Sequence, residues 1–138
     1  MLCTDRNRLA NQILVGAVFE KARLMVVGSG IWFRALECTT CRIHQKYFAK
    51  HLVTEYSLSL FAKGYDSGGS LQFVNLDNFE NIELLNQEKN SPPQKVYLVE
   101  DTNGVHGDIW RQRVRPYLHG TTCQIIYVGD TDDRSSWN

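Results

Sequence analysis

Two apolar stretches of this 138-residue chain end in carboxylates. Lys95-Val96-Tyr97-Leu98-Val99 runs into Glu100-Asp101, and Cys123-Gln124-Ile125-Ile126-Tyr127-Val128 runs into Gly129-Asp130. Apolar runs this short, bounded by polar or turn residues, read as buried strands. In open α/β sheets ligands bind where parallel strands end. Glu100, Asp101 and Asp130 are therefore the candidate catalytic residues, because converged carboxylates suit a divalent ion such as magnesium, a hard cation that takes oxygen ligands, or a phosphate site built around it. Acidic residues also punctuate strand ends and turns for purely structural reasons.

Cys38-Thr39-Thr40-Cys41-Arg42-Ile43-His44 offers a second chemistry, with Cys38, Cys41 and His44 as soft-metal ligands and Cys123 or His51 as a fourth. Structural zinc draws its close cysteine pair from a turn or knuckle, whereas this pair falls inside a predicted helix and no second CxxC exists. A redox pair belongs at a helix N-terminus, where the dipole lowers the thiol pKa. The four cysteines (Cys3, Cys38, Cys41, Cys123) are thus expected as reduced thiols in the core. His44, His51, His106 and His119 stand in no recognised nucleophile motif. Gly28-Ser29-Gly30 joins a predicted strand to a predicted helix, which places either an anion or a plain glycine turn at that helix N-terminus. For nucleic acid, Arg111, Arg113 and Arg115 with Trp110 and Tyr117 form a basic aromatic face, helped by Arg34, Arg42, Lys46 and Lys50. Solvated helix faces account for the same residues.

The elements that must position these groups follow from periodicity. Leu9, Ala10, Ile13, Leu14, Ala17 and Val18 recur at helical spacing after an N-cap at Thr4-Asp5 and predict a helix ending near Ala22. Arg23 to Val27 predicts a strand buried on both faces. From Ile31 to Val53 a long helix is expected, with Trp32, Leu36, Ile43, Tyr47 and Phe48 inward and Arg34, Glu37, Arg42, Lys46 and Lys50 elsewhere. Tyr56, Leu58 and Leu60, then the turn Tyr65 to Gly69, then Leu71 and Phe73 predict an antiparallel hairpin. Asp77 to Gln94 reads as a polar connection broken by Pro92-Pro93. His106, Trp110, Val114, Tyr117 and Leu118 mark a last helix. Strands alternating with helices argue for an α/β fold: three layers, a mainly parallel sheet of about five strands, and helices on both faces.

Composition narrows the class. Hydrophobic residues at 43% are enough to support a core. Residues 1–138 are expected to form one domain with a polar tail from Thr131 to Asn138. Fifteen Lys+Arg balance fifteen Asp+Glu, so no global field draws the molecule to nucleic acid or an anionic membrane, and any such binding is local. The longest apolar run, Ile13 to Phe19, is too short to cross a bilayer. No membrane partner is expected, and the chain reads as cytoplasmic, or as a virion component.

The stretch Val96-Tyr97-Leu98-Val99-Glu100-Asp101, then Val114-Arg115-Pro116-Tyr117-Leu118, then Ile125-Ile126-Tyr127-Val128-Gly129-Asp130-Thr131-Asp132-Asp133 resembles the middle of a P-loop motor domain. It is similar to superfamily-one helicases and to the ATPase domain of viral terminase large subunits. The resemblance implies that Glu100 and Asp101 match the acidic pair that holds magnesium and polarises water, and that Asp130 matches the phosphate sensor. Stretched backwards, it puts the first helix in the place of the helix after the phosphate loop and Arg23 to Val27 as the next strand. The acidic order here is Glu then Asp, and no Gly-Lys-Ser/Thr follows any glycine cluster. The implied function is a noncatalytic P-loop-like module that binds nucleic acid or a partner protein in a DNA-processing or packaging assembly. Two alternatives stand beside it. One is a structural or assembly protein acting through subunit contacts, motivated by Trp137 in the polar tail. The other is a divalent-metal-dependent enzyme of phosphate chemistry.

Overall fold

The computed structural model describes residues 6–55, 61–77, 93–99, 107–118 and 122–128. Its architecture is α/β. A six-stranded sheet runs in the order β2-β3-β4-β1-β5-β6, from β1 (Arg23–Gly28), β2 (Leu52–Glu55), β3 (Ala62–Tyr65), β4 (Ser70–Asn75), β5 (Lys95–Val99) and β6 (Gln124–Val128). The sheet is mixed: β4, β1, β5 and β6 are parallel, while β2–β3 and β3–β4 pair antiparallel. It carries one strand more than the apolar pattern predicts, because β2 lies where helix was expected.

β1 sits inside the sheet because its side chains are apolar on both faces, as a strand covered twice requires. Leu24 and Val26 enter one core with Leu71, Phe73, Tyr97 and Val99, while Met25 and Val27 enter another with Val74, Val96 and Leu98. The first core takes in α1 (Arg6–Phe19), through Leu9, Ile13, Leu14, Ala17 and Val18, and α2 (Gly30–Ile43), through Phe33 and Leu36. The second takes Trp110, Val114 and Leu118 from α3 (107–118). Each side chain buried this fully contributes about 1.5–3 kcal/mol.

A wide π turn follows α2, and another lies within α3. Beyond Ile43 the backbone continues as a π-helical turn over His44–Phe48 and a 3-10 turn over Ala49–His51, and α3 is π-helical over Trp110–Val114. A π turn holds more residues than an α turn. The buried stripe therefore recurs every fourth residue, at Leu36, Thr40, His44 and Phe48, and likewise at Trp110, Val114 and Leu118. Two expectations are overturned: Glu37 is inside, 6% exposed, on the same face of the regular helix as Phe33 and Leu36, and Tyr47 is outside, 59% exposed, because the wide turn shifts the stripe. The helical path also stops at His51 rather than Val53, since Leu52 begins β2, an edge strand exposed at Val53, Thr54 and Glu55.

The expected hairpin forms around the turn, between β3 and β4. Its first strand is Ala62–Tyr65; the expected strand residues Tyr56, Leu58 and Leu60 lie outside the described residues, as do most of the polar connection and the tail. Gln94 fastens the opposite sheet end: its N–H donates to the Arg23 carbonyl at 2.8 Å, its side-chain oxygen accepts from the Arg23 N–H at 2.9 Å, and its carbonyl accepts from the Gln124 N–H at 2.9 Å. No helix among the described residues is long and apolar enough to cross a membrane.

Candidate functional site at the rim of the parallel strands

Three parallel strands end together around Gly28. In the pairing register Gly28 lies opposite Asn75 of β4 and opposite Val99 of β5, and Val99 in turn lies opposite Val128 of β6. β1 is the point at which the chain switches direction across the sheet, with β4 on one side and β5 and β6 on the other. Such a switch point opens a crevice beyond the carboxyl ends of the strands. The candidate carboxylates Glu100, Asp101 and Asp130 follow Val99 and Val128 in sequence, and they lie outside the described residues.

The glycine turn at this rim is dictated by space and by backbone angle. A Cβ on Gly28 would come within 2.8 Å of the Phe33 ring and 2.9 Å of the Val99 carbonyl oxygen, so only glycine lets β1, β5 and α2 approach so closely. Gly30 has φ +88°, a conformation other L-residues rarely adopt. Ser29 between them takes the N-cap position of α2 in an extended conformation, yet its side chain caps no helix N–H. It is 4% exposed, and its Oγ is buried without a hydrogen-bond partner. A buried hydroxyl left this way costs about 1–3 kcal/mol, which a ligand or an ordered water would recover.

An anion already touches this turn. The Gly30 N–H donates to Asp77 Oδ2 at 3.4 Å, and the Asp77 N–H donates to Asn75 Oδ1 at 2.9 Å, which folds the end of β4 back towards the start of α2. A carboxylate is favourable at the positive end of a helix. With no lysine in the turn, the rim offers N–H donors and a hydroxyl but no fixed cation among the described residues. A phosphate at this turn would compete with the Asp77 carboxylate for the Gly30 N–H.

The basic residues divide into two groups. Arg42, Lys46 and Lys50 lie on α2 and its continuation, which pack on one face of the sheet, whereas Arg111, Arg113 and Arg115 lie on α3, which packs on the other. One surface uniting all six is therefore not formed. Arg111 pairs with Asp108 at 2.5 Å, and Lys46 lies 5.3 Å from the Tyr47 ring centre.

The cysteine cluster does not assemble. Cys38 is exposed and Cys41 half-buried, while His44 is 1% exposed beneath Phe61 and Tyr65, with ring centres 5.5 and 5.7 Å away. Among the described residues no group of three or more His, Cys, Asp or Glu side chains could hold a metal ion. The expectation of buried thiols also fails for Cys38, because the helix turns it to solvent.

Sequence reasoning missed a group of polar side chains on the first core's face of β3. Lys63, 5% exposed, donates to Glu55 Oε1 at 2.5 Å beside His44 and Tyr65. Both His44 ring nitrogens and the Tyr65 hydroxyl are buried without partners. Burial lowers the His44 pKa, the Lys63 charge lowers it further, and Glu55 partly offsets both. Burial pushes the Glu37 carboxyl up to about 7. The only sequence signal for this group was a lysine in an otherwise apolar strand. Compared with known proteins, the chain matches no family model, no curated protein and no solved structure.

Proposed function

We propose that this chain is a noncatalytic, P-loop-like α/β module. It binds a phosphate group at the rim where β4, β1 and β5 end, and it serves nucleic acid or a partner protein in a DNA-processing or packaging assembly. The observation that carries the reading is the buried, unpartnered Ser29 Oγ, held in a glycine turn at the N-terminus of α2 and at the switch point of a parallel sheet. Helix N-termini and strand ends of this kind favour anions. Absence of a Gly-Lys-Ser/Thr sequence argues for binding rather than hydrolysis. The two packed sheet faces favour three layers, with helices on both sides. Ile31, 84% exposed beside the turn, suits a partner protein at the same rim.

The test is thermal stability and intrinsic tryptophan fluorescence titrated with inorganic phosphate, pyrophosphate and ATP, with and without magnesium. Saturable stabilisation is expected, without phosphate release from ATP. Ser29→Ala should weaken binding by about 10- to 150-fold, the worth of one hydrogen bond to a charged group. No ligand-dependent change under any condition removes the reading.

A second reading, a magnesium-dependent enzyme of phosphate chemistry, is favoured by the register that ends β5 and β6 level with each other immediately before Glu100-Asp101 and Gly129-Asp130. Calorimetric titration with magnesium decides it: no heat of binding in the chain, or binding unchanged by Asp101→Asn and Asp130→Asn, dismisses the enzyme.

A further inference from the structure

At the sheet end opposite the rim, aromatic side chains stand in solvent beside lysines. Phe19, at the end of α1, is 56% exposed and rests on Phe48 and His51 at centroid distances of 5.8 and 5.1 Å. Tyr47 is 59% exposed, with the Lys46 ammonium 5.3 Å from its ring centre. Arg42, Lys46 and Lys50 recur every fourth residue along the same helical path, all exposed, and from Arg42 to Thr54 the chain carries no carboxylate. Lys21 adds a fourth cation two residues beyond Phe19. It adopts φ 60°, in the position after α1 where the Ala22 N–H closes the turn onto the Gly16 carbonyl at 3.1 Å. Glycine is the usual occupant of that position, so the lysine there carries backbone strain.

The nearest acids leave this row of charge in place. Among the described residues, Asp66 is engaged by His51 at 3.2 Å, Glu55 by Lys63 at 2.5 Å, and Glu20 adjoins Lys21 in sequence. A neutral molecule thus carries a local cationic strip flanked by two exposed rings. Rings in water invite flat partners, and lysines at turn spacing invite a chain of phosphates. Bases already stacked inside a duplex cannot lie on such rings, whereas unpaired ones can.

We infer that the corner formed by Phe19, Lys21, Arg42, Lys46, Tyr47 and Lys50 binds single-stranded nucleic acid, with bases stacking on Phe19 and Tyr47 and phosphates contacting the cations. The inference shares the nucleic-acid partner of the reading above but not its site, since the rim lies at the other end of the strands.

Fluorescence anisotropy of a labelled 20-nucleotide oligothymidine tests it, with a duplex of equal length and anionic vesicles as comparisons. For four phosphate contacts, affinity should fall about 50-fold between about 50 and about 200 mM salt. Lys46→Glu with Lys50→Glu should weaken binding at low salt and flatten that dependence to about 7-fold. Phe19→Ala and Tyr47→Ala should each weaken it by about 5-fold or more, whatever the salt. All these side chains are exposed, and circular dichroism confirms that the variants fold. Arg111→Glu with Arg113→Glu, on the helix that packs on the other face of the sheet, should leave oligothymidine binding unaltered. Absent or salt-insensitive binding, equal affinity for duplex, preference for vesicles, or indifference to the four corner substitutions overturns the inference. Phosphate-induced stabilisation that persists in the corner variants shows that the rim stands independently.

Discussion

Glu37 carries a measurable cost of folding. Its carboxyl is buried on α2, and neither a hydrogen bond nor an ion pair holds it among the described residues. Burial moves it from 4.5 to about 7, which corresponds to at most about 3 kcal/mol, less wherever water reaches the carboxyl. Because the folded chain holds this proton more tightly than the unfolded chain, the group costs nothing below pH 4.5. Stability then declines as pH rises from 4.5 towards 7, and the loss is complete above that. Glu37→Gln keeps the shape and removes the charge. It should match the parent near pH 4.5 and exceed it by about 2–3 kcal/mol at pH 8, a gain of roughly 10 °C in Tm for a chain of this size. Urea unfolding of both proteins at pH 4.5, 6, 7 and 8 isolates the effect, since every other titrating group cancels in the difference. A glutamine variant destabilised equally at all four pH values would refute the reasoning, because it would mean that the carboxylate has a partner.

Other predictions follow from packing. His44 works in the opposite direction to Glu37: its lowered pKa means that stability falls as pH drops below 6.5, so His44→Phe should reduce acid sensitivity between pH 6.5 and 5 in the same unfolding series. Lys63→Met removes a charge that disfavours His44 protonation and leaves an exposed Glu55, so an NMR titration should find the His44 pKa raised while urea stability changes by no more than about 1 kcal/mol. Gly69→Ala would drive a methyl group onto the Ala17 carbonyl oxygen and should cost about 2–3 kcal/mol by urea unfolding, whereas Gly68→Ser on the exposed side of the turn should cost less.

Strands β1, β5 and β6 were legible because apolar residues on consecutive positions leave few alternatives to burial between covered faces. The β3–β4 turn was legible from Asp66-Ser67-Gly68-Gly69. β2 was not: Leu52-Val53-Thr54-Glu55 is an exposed edge strand, held by backbone pairing to β3, which leaves no side-chain alternation to read. Tyr47 was misread because a uniform helical period was assumed across a wide turn, whereas Glu37, four residues from Phe33 on an ordinary helix face, was placed outside on its charge. At the rim, the glycine turn was visible in the residues, but the unpartnered Ser29 hydroxyl and the Asp77 contact arise only from three-dimensional approach. Glu100, Asp101 and Asp130 follow β5 and β6 in sequence and lie outside the described residues.

The extra residue in the turn at His44–Phe48 acts as a phase adjuster. Each residue rotates an α-helix by about 100°, so eight residues of ordinary winding would carry Lys50 about 80° out of line with Arg42, whereas the seven left after deleting Gln45 would keep it within about 20°. Insertions and deletions in this chain are therefore not equal. One removed from the hairpin tip shortens a loop, whereas one removed here is absorbed as the wide turn tightens, and the basic surface keeps its aim.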